Sequence, residues 1–92
     1  MLVVDADVSG QIFRFEVPVD DRWHEIAGCS TPLHVDCRTP WTVEFWAWQR
    51  EDLPARRFRV FGTGQPIPDD THYRGTTIAP GGQLVWHLIE QP

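Results

Sequence analysis

Eight prolines and seven glycines are scattered along the whole of a 92-residue chain, and this spacing decides what the chain can fold into. Proline removes a backbone donor and fixes φ, while glycine weakens helix and strand interiors alike. The pieces left between them are too short for ordinary helices, and only DRWHEI or REDLPARR could hold a helical turn. Within most pieces apolar and polar residues alternate with period two, as in half-buried strands. In QIFRFEVPV, Phe13, Phe15 and Val17 share one face and Arg14 and Glu16 the other, with Pro18 ending the ladder or holding it at an edge. LHVDC sets Leu33, Val35 and Cys37 against His34 and Asp36.

Two pieces are apolar on both faces and read as central strands. WTVEFWAWQ alternates Val43, Phe45 and Ala47 with Glu44, Trp46 and Trp48, so Glu44 is its only charge. LVWHLIE sets Leu84, Trp86 and Leu88 opposite Val85, His87 and Ile89. With WHEIA as a short strand, RRFRVF and HYRGTTIA as further strands and LVVDADV only a weak one, turn signals recur about every 8–12 residues. The expected fold is all-β: a small antiparallel β-sandwich or partly open barrel of six or seven short strands. It forms one domain over residues 1–92, with residues 1–10 as an added N-terminal strand or tail.

A chain this short buries only about 60–65% of the surface of its unfolded form. Five tryptophans and five phenylalanines therefore matter: they supply the most area per residue, in the core or at a binding face. Hydrophobic content of 41% with 23% charged residues excludes a disordered chain. The net charge of −5 disfavours nucleic acid, whose non-specific affinity comes from neutralised phosphates. The first residues, MLVVDADV, carry no basic n-region, so no secretory signal is read there. No apolar run nears the roughly 20 residues that span a bilayer, and the expectation is a soluble, cytosolic protein without membrane contact. Cys29 and Cys37 would bridge only if two neighbouring strands brought them together, and free buried thiols are the expectation.

The stretch FRVFGTGQPIPDD poses the question of a phosphate cradle. A dinucleotide fingerprint needs a third glycine where Ile67 stands, a P-loop needs a lysine, and the chain has none. Pro66 and Pro68 follow in place of a helix. Gly62 and Gly64 are read as the bend that ends a strand.

No other motif points to catalysis. Asp20, Asp21, His24 and Glu25 lie together in sequence but read as a solvated turn, not as the three or four converging ligands zinc needs. Cys37 with His34 or His87 matches no nucleophile arrangement, and His87 reads as a satisfied core histidine. The adjacent pairs Asp20-Asp21, Glu51-Asp52 and Asp69-Asp70 do not by themselves make an acid–base pair. No enzyme activity, cofactor or metal is expected.

All eight basic residues are arginine, a usage that fits a GC-rich genome. Arg56, Arg57 and Arg59 form the one basic cluster. On a strand, Arg57 and Arg59 share a face about 7 Å apart. They could meet an acidic partner or a phosphate-bearing molecule, or pair across strands with Glu44 or Glu16. With Trp46 and Trp48 beside them they would form an aromatic–arginine surface, the composition of an interface centre.

The segment from Arg56 to Pro68, then Arg74-Gly75-Thr76, then Leu84 to Glu90 resembles a family of small tailed-bacteriophage proteins, mostly of actinobacterial hosts. The similarity covers the chain from about Ile12 onward, including FRFEVPVDD, LHVDC and VEFWAW. Gln65 and Ile89 depart from it, relatives often having histidine and phenylalanine there. The family has no assigned chemistry, so it transfers no functional residue. The resemblance implies a phage accessory protein acting in the cytoplasm of the infected bacterial host.

The leading expectation is a non-enzymatic protein that binds a host or phage protein through Trp46, Trp48, Arg57 and Arg59. A second is a protein that sequesters a nucleotide signal of host defence, with Arg57, Arg59 and Arg74 on phosphates and a tryptophan on the base. A third is a virion or assembly component. An exposed strand edge makes a homodimer a further expectation.

Overall fold

A computed structural model describes residues 10–92. The strand expected over LVVDADV lies outside these residues. The described residues contain seven strands and no helix: β1 (Gln11–Pro18), β2 (His24–Ile26), β3 (His34–Thr39), β4 (Thr42–Gln49), β5 (Arg56–Gly62), β6 (His72–Ile78) and β7 (Val85–Gln91). No helix among them is therefore long and apolar enough to cross a membrane. DRWHEI and REDLPARR supply turns and short strands in place of helical turns.

The strands form two antiparallel sheets, ordered β1-β4-β3 and β2-β5-β7-β6. β4 and β7, the two segments apolar on both faces, are both interior strands of their sheets, as expected. Pro18 is the last residue of β1, an edge strand within the described residues, where its missing N–H costs no ladder bond.

The core lies where the sheets face each other. β1 and β4 pair Phe13 with Ala47, Phe15 with Phe45 and Val17 with Val43, so these residues share the inner face. Phe58 and Val60 from β5 and Leu88 from β7 meet them from the second sheet. The rings of Phe45 and Phe58 lie 4.8 Å apart and join the layers. Cys29 fills the core without a disulfide, and Cys37, also free, is buried in β3. Burial pushes both thiols above their ordinary range.

One seam closes without hydrogen-bonded pairing. Edge strands β3 and β6 pack side by side, and the Cα of Gly75 sits so close to Val35 that an added Cβ would come within 2.6 Å of a Val35 methyl. At the end of the sandwich that holds Gly62, the Trp86 indole N–H donates to the Pro40 carbonyl at 2.9 Å, and the Trp41 ring leans on Trp86.

The glycine stretch is a turn. The Gln65 N–H donates to the Gly62 carbonyl at 3.0 Å, and the Gln65 side chain accepts from the Gly62 N–H. Gly64, with φ of 89°, occupies the position that demands a left-handed residue in a type II turn.

Candidate interaction surface

The outer face of the β1-β4-β3 sheet is set by the alternation of β4. Because Val43, Phe45 and Ala47 point inward, Glu44, Trp46 and Trp48 point outward. Strand register then builds three rows across the sheet. Trp48 stands beside Ile12, Trp46 between Arg14 and His34, and Glu44 between Glu16 and Asp36.

The rows grade from apolar to ionic. Ile12 is 49% exposed and Trp48 41%, a pair of large apolar side chains open to water. A cleft of about 320 Å³ lined by Ser30, Trp48, Arg50 and Leu53 adjoins it. The Ser30 hydroxyl accepts from the Trp48 backbone N–H at 2.9 Å, which holds this end of the strand in place. In the middle row Trp46 is half-buried, with its ring centroid 5.8 Å from that of His34.

At the ionic end Glu44 is only 3% exposed. Its carboxylate accepts from Arg14 at 2.6 Å and from Arg38 at 2.8–3.0 Å. A buried carboxylate needs such partners, since an unpaired one would lose its hydration with nothing in return. Arg14 also reaches Glu16 at 3.6 Å.

Arg57 and Arg59 do not join this surface. They belong to β5 in the other sheet, where Phe58 and Val60 face the core, so both arginines point away from Trp46 and Trp48. The same placement corrects their expected partners: Arg57 lies 3.7 Å from Glu25 and Arg59 3.7 Å from Asp21, while Glu44 and Glu16 are served by arginines of their own sheet. Arg59 is further pinned over the Phe61 ring at 4.4 Å. Arg74, on β6, donates to Glu90 at 2.8 Å, a carboxylate it shares with Arg56. The structure thus brings Trp46 and Trp48 together, leaves Arg57 and Arg59 on the opposite sheet, and commits Arg74 to a buried acid. Arg14 is the arginine beside Trp46, and Arg38 reaches the same face at Glu44. Their signal in the sequence was Glu44, the only charge in an aromatic strand, which called for a cationic neighbour.

The acidic turn does not gather into a metal centre. Asp20 accepts from His24 at 2.8 Å, a bond that holds its carboxyl below the usual range, whereas Asp21 faces Arg59 and Glu25 faces Arg57. Among the described residues no group of three His, Cys, Asp or Glu side chains converges. His87 has both ring nitrogens in hydrogen bonds, to Thr63 and Thr76 at 2.9 Å each, but on the outer face of its sheet rather than in the core.

Residues 9–92 match the family described as Domain of unknown function (DUF7352). No curated protein and no solved structure matches the chain.

Proposed function

The chain belongs to that family of domains of unknown function, and from this premise we propose that it is a non-enzymatic bacteriophage accessory protein that binds a host or phage protein. The docking face is the outer side of the β1-β4-β3 sheet. Trp48 and Ile12 are its anchors, Trp46 its centre, and Arg14 and Arg38 its polar margin. The cytoplasm of the infected bacterium is its place of action, as the resemblance to tailed-phage proteins implies.

One observation carries the reading: Trp48 and Ile12 pair side by side on one sheet face and remain 41% and 49% exposed. Large apolar groups gathered outside a core mark an interaction site, and tryptophan and arginine are the residues that dominate binding energy there. The fixed guanidinium of Arg14 loses little freedom on docking, because Glu44 and Glu16 already hold it.

The test is affinity capture from infected and uninfected host lysate with the wild-type chain and a Trp48→Ala, Ile12→Ala variant. Both side chains are exposed, so the fold survives their loss. A partner captured by the wild type and lost with the variant supports the proposal. Capture unchanged by the double substitution, or no specific partner in either lysate, refutes it.

A further inference from the structure

The second sheet carries a feature of a different kind. Two clefts of about 420 Å³ each abut at one end of it, sharing Arg57, Gln91 and Pro92 in their walls. One contains Arg56, Arg74 and His72; the other is walled by Trp23. We propose that together they bind a nucleotide-like ligand, a planar ring joined to a phosphate-type anion.

The cationic end is built before any ligand arrives. Glu90 is 7% exposed and accepts from Arg56 Nη1 at 3.1 Å and from Arg74 Nε at 2.8 Å. One carboxylate therefore orients two guanidiniums while neutralising only one of them. Each guanidinium has five N–H donors; Arg56 directs the two of Nη1 to Glu90 and Thr31, and Arg74 directs its Nε–H to Glu90. Arg57 adds a third cation, restrained only by a 3.7 Å contact with Glu25 in which both side chains are more than half exposed. In a chain of net charge −5, the cleft is lined by three arginines and His72 with one buried acid. Arg56 and Arg74 lie on the face of Glu90, and Arg57, the next residue along β5, on the other face of the strand end. Planar forks on a fixed support are the arrangement that recognises phosphate oxygens.

The other end suits a ring. Trp23 is half-buried and held edge-on to Phe61, with centroids 6.0 Å apart, which fixes the indole as a wall. Asp70 lies at this end, so an anion is repelled there and directed toward the arginines. Between the two ends, Gln91 Oε1 is buried with no donor among the described residues. A buried acceptor without a partner is uncommon, and a small rotation of the Gln91 amide would present it to a ring N–H or ribose hydroxyl.

This inference does not rest on the docking face, which lies on the other sheet, and the two fail separately. The probes are ADP, inorganic pyrophosphate and adenosine, read by tryptophan fluorescence and by arginine Nε–H chemical shifts. Saturable binding of ADP with shifts at Arg56, Arg57 and Arg74 is expected, with pyrophosphate and adenosine each weaker. Arg57→Ala and Trp23→Ala should each weaken ADP at least about tenfold, the scale of one charge-assisted contact or one stacked base. Trp48→Ala, on the far sheet, should leave ADP binding unchanged. Because Trp23 supports Phe61, the Trp23→Ala variant is checked by its unfolding midpoint and paired with Trp23→Phe, which retains a ring and restores binding. No saturable response to ADP overturns the proposal. So does equal binding of pyrophosphate and ADP, which would leave Trp23 without a part.

Discussion

Replacing Gly75 by alanine tests how the two sheets are closed. The added Cβ would stand 2.6 Å from Val35 Cγ2 and 3.1 Å from Val35 Cβ. Carbon atoms sit comfortably at about 3.5–4.0 Å, so the seam must open by roughly 1 Å. Val35 cannot rotate out of the way, because its branch begins at the Cβ that is itself too close. Either β3 or β6 must then shift, and overpacking of this kind costs about 1–3 kcal/mol. In a domain of this size 1 kcal/mol moves Tm by about 4–8 °C, so a fall of about 5–20 °C is expected. Val35→Ala alone removes two part-buried methyl groups and costs about 1–2 kcal/mol. In the double variant the nearest clash has gone, and only the contact between the two Cβ atoms stays tight. Its destabilisation should fall at least about 1 kcal/mol short of the sum of the single changes. Thermal and urea unfolding of the four proteins measures this coupling. Additivity within about 0.5 kcal/mol, or a Gly75→Ala protein as stable as the wild type, would refute steric closure at this seam.

Three more outcomes follow from the same geometry. Glu90→Gln removes the carboxylate between Arg56 and Arg74, each about a quarter exposed, and should cost about 2–3 kcal/mol after allowing for solvent at both arginines; an unchanged urea midpoint would argue against it. Gly64→Ala meets nothing within 4 Å, so its effect isolates the backbone penalty of φ at 89°. A loss of about 1 kcal/mol is expected, and less for Gly64→Asn, which tolerates that region better; equal stability of all three proteins would contradict the turn assignment. Burial raises the thiols of Cys29 and Cys37 above an ordinary value of 9.0. The unfolded chain then ionises first, so stability is intact below about pH 9 and declines as pH rises toward the folded-state values. Alkaline urea titrations of wild type and Cys29→Ala should show the wild type declining more steeply, and parallel curves would remove Cys29 from the account.

Much of the architecture was legible in the residues. Period-two alternation identified the inner faces of β1 and β5, because side chains of a strand point to opposite sides whatever lies across from them. The two segments without a polar face both became interior strands, and the glycine pair was legible as a turn because the prolines that follow and the missing third glycine and lysine left no phosphate cradle. Which strands would share a sheet was another matter. The run Arg56, Arg57, Arg59 follows the aromatic strand closely in sequence, yet β4 and β5 lie in opposite layers, and the tryptophans and these arginines face away from each other. Alternation specifies a face only relative to its own strand. The company a side chain keeps is chosen by long-range pairing, which placed Arg14 beside Trp46 from 32 residues away in the chain, and Arg56 beside Glu90 from 34. Sequence alone therefore determined an all-β chain with amphipathic strands and a glycine turn. Tertiary structure decided which charges meet, because an ion pair answers to distance in space, and only the assembled sheets set that distance.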